Sequence, residues 1–368
     1  MNRYRMMMNT LPVPEGQAER LEAAVLAAAP EERGRRPFHP WRRGRELALA
    51  AVLAAVLLVT ASASETVDWS PVFLGIFGSS SQSVPGAEGV FQDVQAVSVC
   101  DDVTLTVRQS IGDRNNLFVL LDYQLPGDVN LEDAEALENL RVPMILVYKG
   151  REIAWEDVKA LSSMEEVTRA LGLDCVAGQM TRLQGFDLES RTLTILVECA
   201  LGDWSPLARI PNASVTLVAG PPERAAMDDE GEDIPLANQL AVVSFRPSFD
   251  VKSVKGSAKT EDGTTCKAEV SPLSLSVRIK GKDLPDWPAE DTLSELKALV
   301  TLRFRDGTEV PVTDLERPGG SSHGGGSLTH HDDGRLSGTR TLNLVFGTLQ
   351  NPSQVEAVLV GDVEIPVS

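Results

Sequence analysis

Only four cysteines occur in the 368 residues, none lies before Cys100, and no two are spaced as C-x-x-C. A dense disulfide framework and a four-thiolate zinc site are excluded. Histidine is as scarce: His39 is the only one before His323, so a zinc-binding fold cannot be built from the amino-terminal segment. Positive charge is short as well. With 34 basic against 53 acidic residues, a net of -19, the chain lacks the clustered Lys and Arg that displace counterions from phosphates, and nucleic acid is not an expected partner. There is no P-loop, no G-x-G-x-x-G and no H-E-x-x-H. Long uncharged apolar runs are absent too, with one exception.

That exception is Leu47–Ser64, LALAAVLAAVLLVTASAS, 18 residues without a charge between Glu46 and Glu65. A helix of this length covers about 27 Å, within the working range for crossing a hydrocarbon core, and only a helix satisfies its own amides there. Immediately before it stand Arg33, Arg35, Arg36, Arg42, Arg43 and Arg45, with no acid between the first and the last. The positive-inside bias keeps such a cluster in the cytoplasm. We therefore read 47–64 as a transmembrane helix, with the amino terminus inside and the carboxy-terminal bulk outside. The rival reading is a cleaved signal peptide, since Ala61-Ser62-Ala63 has the small-x-small pattern, but the region before the run is far longer than such peptides carry. The charge is split in the same sense. Residues 1–46 hold 9 basic and 6 acidic residues, and the remainder carries a net of -22.

Residues 1–46 are too few for a sizeable core. They read as a cytoplasmic peptide in which Pro14 opens a short amphipathic helix, with Ala18, Leu21, Val25 and Ala28 as an apolar stripe and Pro30 as its end. A helix of about 15 residues is marginal alone in water, so the stripe is either a partner-docking face or part of a frayed tether.

Residues 65–89 form a juxtamembrane segment and spacer. Trp69, Phe73, Ile76 and Phe77 suit either a membrane interface or the cap of the first outer unit, and Gly78–Gly89 is rich in Ser and Gly. Beyond it the pattern changes to a period of two. Val103, Leu105 and Val107 alternate with Thr104, Thr106 and Arg108; Leu117–Tyr123 follows a polar turn; Val142–Tyr148 is expected to turn at Lys149-Gly150 into Glu152–Trp155; and Leu193, Ile195, Val197 and Cys199 share one face. Trp155–Leu171 alone has a helical composition. Residues 90–220 are read as one antiparallel β-sandwich. An acidic, Pro-containing linker, 221–238, follows, and its Asp228–Asp233 run lacks the alternation of a calcium loop. Residues 239–368 repeat the alternation through Leu273, Leu275, Val277 and Ile279, then Val300, Leu302 and Phe304 before an Asp306-Gly307 turn, and a final hairpin turning at Gly361-Asp362. The expected fold is mainly β: two immunoglobulin-like antiparallel β-sandwiches outside the membrane, one transmembrane helix and a short helical cytoplasmic peptide.

The succession of Leu11-Pro12-Val13-Pro14, the arginine-rich stop, the apolar run, Asp102-Val103-Thr104-Leu105-Thr106-Val107, Arg305-Asp306-Gly307-Thr308 and Gly361-Asp362-Val363-Glu364-Ile365-Pro366 resembles the domain-of-unknown-function 4179 family over nearly the whole chain. That resemblance implies a single-pass, anti-sigma-like surface protein of Firmicute-type, Gram-positive bacteria, with a carboxy-terminal domain of unknown function. It brings no catalytic residue.

Chemistry-bearing clusters are few. Parity and separation allow a Cys175–Cys199 bridge, with two buried thiols as the alternative. His323, His330, His331, Asp332 and Asp333 share the Gly-rich stretch Pro318–Arg335, read as a flexible hairpin loop and not as a metal site. Gly320-Ser321-Ser322-His323-Gly324 matches G-x-S-x-G literally but lacks the strand-to-helix setting of a nucleophile elbow. No catalytic, cofactor-binding or metal-ligating residue is assigned. The expected function is non-enzymatic: a membrane-anchored regulator coupling an envelope ligand to a cytoplasmic sigma factor. The alternative is a surface binding or structural module whose inner peptide only sets topology.

Overall fold

A computed structural model describes residues 69–127, 140–148, 150–171, 175–200, 209–224, 234–235, 240–282, 292–317, 322–331 and 336–368. The cytoplasmic peptide, the six arginines, the apolar run Leu47–Ser64 and the acidic run 228–233 lie outside these residues. Among the described residues no helix is long and apolar enough to cross a membrane. The architecture is mainly β, with several antiparallel sheets and short helices.

After helix α1 (Pro71–Phe77), the first sheet is built from β1 (Phe91–Cys100), β2 (Val103–Gly112) and β3 (Asn116–Gln124), then β5 (Met144–Tyr148), β6 (Cys175–Asp187), β7 (Thr192–Ala200), β8 (Val215–Ala219) and β11 (Ala241–Phe245), in the order β1-β2-β3-β7-β6-β5-β8-β11. The small strands β4 (Leu140–Arg141), β9 (Glu223–Arg224) and β10 (Ile234–Pro235) make a separate three-stranded sheet. Strand β6 divides its pairing: Cys175–Ala177 lie against β5, and Gly178–Asp187 against β7. The two end strands then meet through side chains. The Cys100 thiol receives the Val242 N–H at 3.4 Å, and the Gln92 amide bonds Arg246 O at 3.1 Å and Ser248 N at 2.7 Å. One apolar core fills the space between, with Val103, Leu105, Leu121, Tyr123, Leu193 and Val243 among its buried residues.

Strand β2 follows the expected alternation, inward Val103, Leu105 and Val107 against Thr104 and Thr106. Strand β3 does not alternate. Asn116 to Leu121 are buried without interruption, the mark of a strand covered on both faces. Helices α2 (Trp155–Val158) and α3 (Met164–Leu171) occupy the stretch of helical composition and bury Val158, Val167 and Leu171 in the core. The hairpin expected at Glu152–Trp155 is absent, because the Asp157 carboxylate accepts from Ala154 N at 3.1 Å and from Arg151 at 2.8 Å and starts a helical turn instead. The expected boundary also moves. Ala241–Phe245, read as the start of the second unit, pairs with β8, and Glu223–Arg224 and Ile234–Pro235 of the expected linker pair with each other.

The second unit has a five-stranded sheet, β12-β13-β14-β18-β17, and a four-stranded sheet, β16-β15-β19-β20. Their strands are β12 (Val254–Lys259), β13 (Thr265–Val270), β14 (Ser274–Lys282), β15 (Val300–Phe304), β16 (Glu309–Pro311), β17 (His323–His330), β18 (Leu336–Val345), β19 (Val355–Val360) and β20 (Val363–Pro366), with helices α4 (Thr292–Ala298) and α5 (Val312–Leu315). Both sheets contribute to one core, Val277, Leu342 and Leu344 from the first and Leu302, Val358 and Ile365 from the second. Gly307 (φ 85°) and Gly361 (φ 56°) sit at the two expected turns. The Gly-rich stretch read as a loop is a strand over His323–His330, paired to β18 from His323↔Asn343 to His330↔Leu336. A long neighbouring ladder outweighs the weak strand preference of Gly at an edge.

Lys255 and Ser368 exchange two backbone hydrogen bonds of 3.2 Å, joining β12 to the segment after β20. Gly256 permits this approach, since a Cβ there would lie 2.0 Å from the Pro366 carbonyl oxygen. Gly256→Ala is expected to destabilise by about 1–3 kcal/mol in urea unfolding, as overpacking does. Gly75→Ala, in helix α1 with nothing within 4 Å, is expected to stabilise by about 0.5–1 kcal/mol.

Candidate functional site

The covered face of β3 and β7 meets the second unit, and this contact is the richest chemistry of the described residues. Its apolar half is prepared by helix α1. Ser70 caps the helix by accepting from Phe73 N at 3.3 Å, Pro71 fits the first turn, and Gly78 (φ 76°) ends it. Phe73 and Phe77, four apart, fall on one face and are fully buried. Trp69 stacks on Phe91 at 5.5 Å, and Phe77 meets Phe118 edge to face at 5.4 Å. The same cluster takes in Leu120 and Leu196 from the first sheet and Leu273, Val345 and Leu349 from the second unit. Of the two expectations for the aromatic segment, packing on the β-structure is what is found, and it packs on both units at once. Ser81 extends this, its hydroxyl accepting from Leu349 N at 3.0 Å.

The polar half adjoins it. Asp113 holds the β2–β3 turn by accepting from the amides of Asn115 and Asn116 at 2.8 Å, while its other oxygen accepts from the hydroxyls of Ser271 at 2.6 Å and Ser274 at 2.5 Å. Glu198 of β7 and Arg317 form an ion pair of 2.5 Å, with residue exposures of 3 % and 6 %. Arg182 stands 3.5 Å from the same carboxylate at the rim. The Arg317 guanidinium lies over the Phe118 ring, 5.3 Å from its centre. Asn343 Nδ2 approaches Asn116 Oδ1 at 3.5 Å, and His323 is the direct cross-strand partner of Asn343, so both side chains share the face turned to the first unit. Burial pushes the His323 imidazole below its ordinary 6.5, and Glu198 draws it back in part. Arg209 reaches across to Glu269, which also accepts from Lys255 at 3.1 Å. Four buried polar atoms here have no hydrogen-bond partner: Asn116 Nδ2, Arg317 Nη1, His323 Nε2 and Asn343 Oδ1.

The residues singled out from the sequence are placed differently. Cys199 lies opposite Gln179, four positions from Cys175, a separation of about 13 Å along the strand. A disulfide tolerates about 7 Å between Cα atoms, so the register does not bring Cys175 and Cys199 together. Cys199 is buried on the core-facing parity read for it, Cys266 is buried as well, and burial pushes the Cys266 thiol up. His323 and His330 occupy opposite ends of β17, about 23 Å apart. His331 instead pairs with the Ser337 hydroxyl at 2.7 Å, and Asp332 and Asp333 lie outside the described residues. Among the described residues no three His, Cys, Asp or Glu side chains converge as a metal site. Ser322 donates to Glu316 while its neighbour His323 faces the first unit, so the literal G-x-S-x-G match supplies no Ser–His pair. Glu198, Arg317, Asn116 and Asn343 escaped the sequence reading.

No protein-family profile matches the chain, and no curated protein matches it. Among solved structures it is similar to a conserved domain protein from Bacillus anthracis at 11 % identity, covering 73 % of this chain and 75 % of that one, with a TM-score of 0.33. A likeness at that score carries no argument about activity.

Proposed function

We infer that the chain is a single-pass, membrane-anchored regulator, non-enzymatic and anti-sigma-like, whose two immunoglobulin-like β-sandwiches face the envelope. Its amino-terminal helix docks a cytoplasmic sigma factor. The observation that carries this reading is the uncharged run Leu47–Ser64 behind six arginines, with the acidic bulk of the chain on its far side. The order of short motifs shared with the domain-of-unknown-function 4179 family supports it. So does the spacing: Trp69, buried in the aromatic cluster, follows Ser64 by only five positions.

The test is retention of sigma factors by residues 1–46 in a pull-down from the native host. Retention is expected, and Leu21→Asp with Val25→Asp is expected to reduce it by about tenfold or more, since a charge on each central apolar position opposes helix docking. Undiminished retention by the double variant defeats the docking helix. Failure of the unaltered peptide to retain any sigma factor favours the surface-module reading. Protease access on intact cells should cut the carboxy-terminal bulk and spare the amino terminus.

A further inference from the structure

We propose that His323, Glu198 and Arg317 form an acid-sensitive latch that holds the two β-units and the Trp69–Phe77 segment together at neutral pH and loosens them on acidification. The proposal rests on the described residues alone and goes beyond the membrane reading.

The groups facing His323 can be named element by element. Strand β7 contributes Glu198, the segment after α5 contributes Arg317, and β6 contributes Arg182 at the rim of the same carboxylate. Strand β3 contributes the neutral amide of Asn116 and β18 that of Asn343, with the buried Arg340 of β18 at the opposite parity, and helix α4, packed on β17, carries the exposed Glu295 and the half-buried Lys297. Beside His323 along the chain, Ser322 bonds Glu316, which is already held by Lys297 at 2.5 Å. On the face that His323 shares, the buried balance is thus one carboxylate against one guanidinium, with a second guanidinium half in solvent. A protonated imidazole adds a cation that only Glu198 can neutralise, and it does so at the expense of Arg317, which is buried and has no other acid beside it among these groups. Hydrogen bonding points the same way. Asn116 Nδ2 and Arg317 Nη1 are buried donors, and Asn343 Oδ1 and an unprotonated His323 Nε2 are buried acceptors, two of each. Protonating Nε2 turns an acceptor into a third donor and destroys the match.

The sign follows from linkage. Because the folded imidazole titrates below 6.5, the unfolded chain binds the proton first as pH falls. The stabilisation is whole above that value and is lost as pH drops through the lower, folded one. Loosening reaches the aromatic segment through Phe118, whose ring carries Arg317 over its face and packs edge to face with Phe77.

Amide hydrogen exchange of the full-length purified chain, compared at about pH 7.5 and about pH 5 after correction for intrinsic rates, tests the latch. Peptides covering 69–83, 116–120 and 340–349 are expected to exchange about threefold faster or more at the lower pH, and His323→Gln is expected to remove that difference. An undiminished acid response in His323→Gln, or none in the unaltered chain, overturns the proposal. Should the variant fail to fold, exchange of the imidazole C2 hydrogens in the unaltered chain reports the midpoint of His323 directly. A midpoint below 6.5 supports the latch; one at or above it overturns it.

Discussion

Arg317→Met is expected to lower the free energy of unfolding by about 3–5 kcal/mol, the loss seen when one member of a buried ion pair is removed. The size comes from what stays behind. Glu198, 3 % exposed, would be left inside the contact between the units without its buried guanidinium, with Arg182 3.5 Å away at the rim. The methionine retains most of the volume over Phe118, so lost packing is the smaller part. A second substitution separates desolvation from packing. Adding Glu198→Leu to Arg317→Met removes the stranded charge, and the double variant is expected to recover to within about 1–2 kcal/mol of the unaltered chain, because apolar replacement of a buried pair is often neutral or stabilising. Urea midpoints with an unchanged dependence on denaturant would measure both. A loss below about 1 kcal/mol in the single variant is what a solvated pair gives, and it would mean that water reaches Glu198.

The same pair shows where reading the sequence stops. Alternation identified β2, β7, β14 and the closing hairpin, because each has one face in a core and one in a different environment. Glu198 was invisible to it. It occupies the outward parity of β7, between core-facing Val197 and Cys199, where an acid is the ordinary solvent-facing choice. Nothing local in the chain says that this outward face is covered. A signal did exist in β3, where NLFVLLDY places apolar residues on both parities, Leu117, Val119 and Leu121 on one and Phe118 and Leu120 on the other. Two-sided apolarity means two-sided burial, and the second cover had to be another part of the molecule. The division between the units failed for a different reason. Pro221-Pro222 and six consecutive residues rich in acid, Asp228–Asp233, read as a linker, yet the strand that follows them, Ala241–Phe245, completes the first sheet. Turn-forming composition marks where a chain bends; which sheet it bends back to is decided by packing. The glycines of β17 are the converse case, where poor strand formers are carried by a partner eight residues long in register.

Phe77→Ala is expected to cost about 3–5 kcal/mol, in the range for truncating a fully buried aromatic. Val99→Ala, at a β1 position 67 % exposed, serves as the control and should stay within about 0.5 kcal/mol. The larger figure follows from the packing around the ring. Phe77 meets Trp69 at 6.5 Å and Phe118 at 5.4 Å, both edge to face, and its carbonyl accepts from Ser81, whose hydroxyl in turn receives the Leu349 amide. Truncation leaves a space that none of these can fill without abandoning the other, since Phe118 is held from its face by Arg317. Phe77→Leu keeps most of the volume and should cost about 1–2 kcal/mol. How the loss appears is as informative as its size. The aromatic cluster is distinct from the two larger cores, so it can open while both sheets remain paired. In that event, exchange at the amides of Leu74, Gly78 and Leu349 rises in Phe77→Ala well before the urea midpoint of the main cores moves. A midpoint shift with no separate local opening would instead make helix α1 part of a single cooperative unit with both sheets, bound to them by a free energy as large as their own.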